Sequence, residues 1–348
     1  MPAISAVDSV SAAVQRTRIF LFRPFHWGTF LKLGLVAIIT EGISNNPRPS
    51  SQGGHGTPPG AIGFSPSSLT PEWIAVIVAA VLLAFVLAML VFYLVTRLRF
   101  AFFHCLIHNT KEIRPGWRLY RSQASRFFWL NVLVGICFIV ALALVAIPFA
   151  ALLWRVVEAT RQASHLDIGM LLALALPFIP VLLLLALAAI LSDVILRDWM
   201  LPHYALDNAS AGQAWAQVRA RIKAEKREFF VYALLRLILP LIAAIALFFV
   251  LLLPGLGLAG VLAAVELGLH STFAGSTGAS SLVGVLLQAF FGVIAFALAL
   301  LAGICLGGPL STGIREYALT FYAGRYPRLG AFLFPAPPAP PAMQPGTD

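Results

Sequence analysis

The sequence predicts an all-α integral membrane fold: six transmembrane helices forming three pseudo-repeated hairpins, with amphipathic helices at the interface. Three observations carry that prediction. Hydrophobic residues make up 60% of the 348 and charged residues only 11%, whereas soluble domains are about 25% charged. Apolar runs long enough to cross a bilayer recur along the chain. Lysine and arginine are gathered into alternate loops.

The opening segment, MPAISAVDSVSAAVQRTRIF, carries Asp8 and lacks a basic stretch followed by an apolar one, so it does not read as a cleaved signal peptide. A helix needs about 20 mainly apolar residues to cross roughly 30 Å of hydrocarbon. Five runs meet that length: 73–96, 127–153, 170–192, 229–253 and 282–306. A sixth span, 27–43, is interrupted by Lys32 and Glu41 but is required by the charge pattern and by an internal repeat. Residues 1–330 then form one six-span domain. Residues 45–71, rich in Gly, Pro and Ser, read as a flexible external loop. Residues 255–269 are apolar but too short to cross, and a re-entrant or interfacial segment after Pro254-Gly255 is expected. The Pro-rich tail, 331–348, is expected to be disordered and solvated.

Within the spans, Pro148, Pro177, Pro180 and Pro240 interrupt the helical ladder and read as packing features. The glycines of AGICLGGPLSTG read as close helix contacts. The three cysteines, Cys105, Cys137 and Cys305, have no metal-type spacing and imply no disulfide framework.

Of the 24 Lys and Arg residues, 19 fall on one side of this arrangement, three on the other and two within spans. Positive charge stays cytoplasmic during insertion, which puts both termini in the cytoplasm. The net charge of +10 thus describes one face. Such a face attracts anionic headgroups at about 1 kcal/mol per nearby cation. The insertion rule accounts for the same charges without nucleic acid.

Each outbound span follows a basic stretch ending in aromatics: RPFHWGTFLK at 23–32, SRFFWLN at 125–131 and KREFFVYALLR at 226–236. Before the last two, Trp117, Tyr120, Ala124 and Phe127, and again Trp215, Val218, Ile222 and Phe229, recur at helical spacing. Arg118, Arg121 and Arg126, and Arg219, Lys223, Lys226 and Arg227, occupy the other faces. Helices lying along the interface with rings in lipid are expected, the alternative being helices packed on a small cytosolic subdomain. The returning spans end alike, at TRLRFAFFHCLIHN, ILRDWMLPHYALDN and GIREYALTFYAG, so one unit recurs three times.

Ionisable residues inside spans are candidates for function. Lys32 and Arg236 lie seven residues after Phe25 and Phe229, and their long side chains can snorkel toward the cytosol. Asp193 cannot snorkel far and needs a partner: Arg197, four residues on, or Arg236 on the next span. Lys32, Asp193, Arg197 and Arg236 form the candidate intramembrane cluster. His104 and His108, one turn apart beside Cys105, read as interfacial rather than as metal ligands. No Ser-His-Asp arrangement, phosphate-cradling loop or zincin pattern appears, and neither catalysis nor a cofactor is expected.

The stretch LRDWMLPHYALDNASAGQAWAQV, followed by basic residues and FFVYALLRLILPLI, resembles a group of bacterial multi-pass proteins. These are related to the membrane-anchor domain found beside glycerophosphoryl diester phosphodiesterases. Asp198, Pro202 and Ala214-Trp215 carry the resemblance. The His-Arg-Gly and Glu-x-Asp elements of the phosphodiesterase itself are missing. The resemblance implies a six-span module of the bacterial inner membrane without catalytic residues. The expected role is non-enzymatic, with basic interfacial residues binding anionic lipid, a partner protein or a second copy. The rival is a transporter or transport-system subunit using Asp193, Arg236 and Lys32. A membrane-embedded lipid enzyme would need carboxylates or histidines gathered at one depth.

Overall fold

The computed structural model describes residues 5–42, 71–163, 169, 176–273 and 279–335, and these are helical with short connections. In chain order the helices are α1 (Asp8–Phe22), α2 (Trp27–Ala37), α3 (Pro71–His108), α4 (Ile113–Leu119), α5 (Arg121–Ala163), α6 (Phe178–Val194), α7 (Leu201–Leu206), α8 (Ala211–Ala224), α9 (Lys226–Phe273), α10 (Ala279–Ala323) and α11 (Pro327–Leu333). Two π-helical segments, Ile38–Gly42 and Ile195–Met200, continue α2 and join α6 to α7.

Five stretches are long and apolar enough to cross a membrane: Trp73–His108, Arg121–Val156, Phe178–Leu206, Lys226–Val265 and Leu282–Ala323. Their most apolar windows have mean hydropathies of 2.6 to 3.3, and almost none of those windows is buried inside the protein. Helices apolar on all sides belong in lipid, where every backbone N–H and C=O is satisfied within the helix. The same need explains why α9 runs unbroken through Pro240 and Pro254, and α5 through Pro148. The re-entrant segment expected at 255–269 is therefore corrected: those residues continue α9. Pro177 is the N-cap of α6, with Pro180 in its first turn.

The predicted first span, 27–43, is described as far as residue 42. Residues 27–42 make an 11-residue α-helix plus a five-residue π segment. At 1.5 Å per residue that is about 24 Å, short of a roughly 30 Å hydrocarbon layer. The expected external loop at 45–71 lies almost wholly outside the described residues, as does the start of the span expected at 170. The tail is corrected at its beginning: residues 331–333 close α11, and Leu333 is buried.

The long helices far exceed a bilayer; α9, with 48 residues, reaches about 72 Å. Their surplus forms a packed base. There the starts of α5 and α9 meet the ends of α3, α6, α7 and α10. Phe100 packs on Phe127, Phe127 on Tyr204, Trp199 on Phe229, and Phe229 on Phe321. Offset and edge-to-face ring pairs add about 0.5–1.5 kcal/mol each beyond area burial. Both ends of the described chain join this base. Arg16 of α1 donates to the Leu333 carbonyl at 3.0 Å, and the Ala6 N–H to Glu228 at 3.1 Å.

Two helix ends are closed by the same device. Asn109 and Asn208 both adopt φ of 51°, the left-handed conformation that Asn tolerates. The Thr110 N–H then returns to Cys105 and that of Ala209 to His203. Ser210 and Gln213 form a capping box that starts α8. Small residues set one crossing: a Cβ on Gly308 would lie 2.6 Å from the Cα of Gly34, so α2 and α10 touch backbone to backbone. This glycine contact lies within the AGICLGGPLSTG stretch.

Exposed tryptophans mark two levels. On α5, Trp129 and Trp154 are both about two-thirds exposed. Twenty-five residues separate them, or about 37 Å along the axis. That matches two aromatic belts bracketing hydrocarbon. Trp27 on α2 and Trp73 on α3 are also exposed.

Candidate functional site

Where the lipid-exposed lengths of helix meet the base, charges from α9, α10 and both π segments converge. Glu41 comes from the first π segment, Arg197 and Asp198 from the second, Arg236 from α9 and Arg315 from α10. All five are at least 96% buried. Asp198 accepts from Arg236 Nε at 2.9 Å, from Arg315 Nη1 at 3.1 Å and from the Tyr232 hydroxyl at 2.9 Å. Glu41 faces Arg236 at 3.2 Å, Arg197 at 3.6 Å and Arg315 at 4.0 Å. Arg197 also lies 3.8 Å from Asp198 and 3.4 Å from Asp193, and its carbonyl accepts from Arg315.

Three carboxylates thus pair with three guanidinium groups. A fourth, Arg99 of α3, is buried nearby and donates to the Thr40 carbonyl at 3.1 Å. Ionised groups removed from water are tolerable only when paired and hydrogen-bonded. The network approaches that condition by sharing Glu41 and Asp198 among three arginines each, while Arg197 Nε and Nη1, Arg236 Nη1 and Arg315 Nη2 are buried without a hydrogen bond. It ties the ends of α2, α6 and α10 to the start of α9. π segments turn side chains off the regular α-helical register and occur often at functional sites; here both carry charges of the network.

The predicted cluster is brought together in part. Asp193 pairs with Arg197, as one reading of the spacing required; its carboxylate side chain is 37% exposed. Arg236 is not paired with Asp193 and does not snorkel: it is buried against Asp198 and Glu41. Lys32 is exposed and takes part in none of the network's ion pairs. The residues that sequence reasoning missed were Asp198, named only for the resemblance, Glu41, read only as an interruption, Arg315, counted beyond the last span, and Arg99 with Tyr232. One signal was available. Arg99 and Asp198 each lie ten residues before a left-handed Asn, so opposite charges occupy matching places on two returning helices.

The predicted interfacial residues divide between core and surface. Tyr120, Ala124, Phe127, Val218 and Phe229 are buried in the base. The amphipathic stripes therefore pack on the protein's own core, which corrects the expectation of rings held in lipid. Trp117 is half-buried beneath Arg97, whose guanidinium sits 4.4 Å from the ring centroid. Trp215 is 44% exposed. Arg118, Arg121, Arg126, Arg219, Lys223, Lys226 and Arg227 are all exposed.

Below the ionic layer, His203 joins α7 to α10. Its Nδ1 lies 3.0 Å from Asp207 and its Nε2 2.7 Å from the Tyr322 hydroxyl, with Arg221 donating to Nε2 at 3.1 Å. Asp207 is bridged in turn by Arg328 at 2.7 Å. Burial raises the Asp207 pKa, but the hydrogen bond from His203 and the charge of Arg328 outweigh it and hold the carboxyl below its ordinary value. The histidines of HCLIH pack on each other with their rings tilted by 35° and centroids 4.2 Å apart, and His108 also packs on Phe332. Among the described residues no three His, Cys, Asp or Glu side chains group to hold a metal.

No curated protein and no solved structure matches this chain. Residues 4–332 match a family of unknown function, DUF7544. With five membrane-crossing stretches and nearly its whole length matched, the chain is a multi-pass membrane protein of the DUF7544 family.

Proposed function

We propose that this protein is a non-enzymatic component of the bacterial inner membrane whose packed base faces the cytoplasm and gathers anionic phospholipid headgroups. One observation carries the reading. The buried Arg197, Arg236 and Arg315 are paired with Glu41, Asp193 and Asp198, whereas seven Arg and Lys residues on α4, α5, α8 and α9 point to the surface. Each cation near an anionic leaflet contributes about 1 kcal/mol. The lysine and arginine bias supports the cytoplasmic placement of this face. The resemblance of Asp198, Pro202 and Ala214-Trp215 to an anchor module supports a binding or scaffold role. We further infer three related hairpins, α2–α3, α5–α6 and α9–α10, with α2 completing a sixth span; the matching Asn109 and Asn208 favour it.

The test is the lipid composition around the protein in nanodiscs made from equal phosphatidylglycerol and phosphatidylcholine. Enrichment of phosphatidylglycerol is expected, reduced when Arg118, Arg121, Lys223 and Arg227 are replaced by Gln. Equal composition in both proteins would overturn the reading. A second reading, a transport subunit, is favoured by the π segments that carry the ionic network, with Asp193 at its exposed edge. It must work without Lys32, which stands outside the network.

A further inference from the structure

The lipid reading of the base becomes specific at one place. A groove of about 460 Å³ runs between α1, α9 and α10, with walls that include Val14, Ile242, Leu310 and Gly313. That volume lies within the usual range of small-molecule sites, roughly 300–1,000 Å³. Its depth in the protein is fixed by the ionic layer. Ile314 on its wall is the neighbour of Arg315, and Leu239 follows Arg236 by three residues. The groove opens outward between Val14 of α1 and Ile242 of the membrane-crossing part of α9, both about 60% exposed. Its lining is almost wholly hydrocarbon, and the cation among its lining residues is Arg18, which is exposed. Arg16, one turn's edge away, is already held by Glu316 at 3.0 Å.

An apolar slot beside the bilayer with a cation at its rim matches the two ends of one molecule class. We propose that this groove binds a single anionic glycerophospholipid, one acyl chain lying between α1, α9 and α10 and the phosphate meeting Arg18. The proposal rests on the reading of the base as a lipid-facing surface but concerns a separate place. None of the seven exposed cations of that reading lines the groove. A neutral lipid can fill the slot equally well, so the headgroup preference belongs to Arg18 and the retention itself to the groove walls.

The test uses the full chain purified in detergent, stripped of loosely held lipid, and titrated with phosphatidylglycerol or phosphatidylcholine under native mass spectrometry. The intact protein should retain one phosphatidylglycerol per chain in preference to phosphatidylcholine. Gly313→Leu fills the slot from within; a Cβ there meets only the Thr17 hydroxyl, at an ordinary 3.7 Å. Ile242→Trp obstructs it from an exposed position and so does not strain the core. Each should lower retention of both lipids at least tenfold, with circular dichroism unchanged. Arg18→Gln should keep retention of phosphatidylcholine and lose about fivefold for phosphatidylglycerol, the share of one interfacial cation. Wild-type retention in both Ile242→Trp and Gly313→Leu overturns the site, and so does a change in oligomeric mass with lipid retention intact, which would make a second copy the occupant. Undiminished preference in Arg18→Gln overturns the headgroup assignment. Loss of the nanodisc enrichment with normal single-lipid retention would sink the broader reading of the base and leave the groove standing.

Discussion

Replacing Asp198 by Asn removes one negative charge from a site where water cannot replace it. The carboxylate is fully buried and is met by Arg236, Arg315 and Tyr232 at 2.9 to 3.1 Å, with Arg197 at 3.8 Å. In the intact network Glu41, Asp193 and Asp198 pair with Arg197, Arg236 and Arg315, with Arg99 buried beside them; the change removes a carboxylate that three of these arginines share. Breaking a buried pair in this way costs about 3–5 kcal/mol, about a fifth or more of a stability that is typically 5–15 kcal/mol. Removing the partner alone, as Arg236→Gln, should cost a similar amount. The double variant, Asp198→Asn with Arg236→Gln, removes one charge of each sign and should lose at least ~2 kcal/mol less than the sum of the two. Asp193→Asn is the internal contrast. Its pair with Arg197 is half open to solvent, so the loss should stay within about 1 kcal/mol. The assay is reversible unfolding in mixed micelles by added dodecyl sulfate, followed by circular dichroism. A loss below ~1 kcal/mol for Asp198→Asn, or strict additivity in the double variant, would refute the account of a shared, buried ionic lock.

Three further outcomes follow from the geometry. Gly308→Ala places a methyl 2.6 Å from the Gly34 backbone and should destabilise by about 1–3 kcal/mol in the same assay, because neither helix axis can yield locally. Asp207 contributes stability above its unfolded pKa of about 3.9, and that contribution falls away as acid protonates the depressed folded-state carboxyl; Asp207→Asn should therefore flatten the loss of stability below about pH 4, read in the same assay. A cysteine placed at Ser51, with Cys105, Cys137 and Cys305 replaced by Ser, should react with a membrane-impermeant maleimide on intact cells, and labelling only after lysis would invert the assigned orientation.

Much of the membrane architecture is legible in one dimension because its cause is local. A helix that faces lipid must be apolar along its own length, so hydropathy alone locates α3, α5, α6, α9 and α10. Charge segregation is likewise a property of loops counted one by one. Helix ends were harder: Trp-rich and Arg-rich stretches at 117–129 and 215–230 were recognisable as amphipathic, but what their apolar faces touch is not a property of those faces. α1 shows the same limit. Its 15 residues carry a buried side of Ser9, Ala13, Thr17, Phe20 and Leu21, too small and too polar to announce itself as a packing surface.

What the sequence determined by itself, then, is the class of solvent each segment needs: hydrocarbon for the long runs and water or headgroups for the exposed Arg and Lys. What only the tertiary structure decided is which charges meet. Asp193 and Arg197 lie one turn apart and could be paired by counting. Glu41, Asp198, Arg236 and Arg315 are separated by up to 274 residues and become neighbours only when α2, α6, α9 and α10 are packed at one level. Pairing across helices depends on distance in space and on the exclusion of water, and neither quantity is written at any single position in the chain.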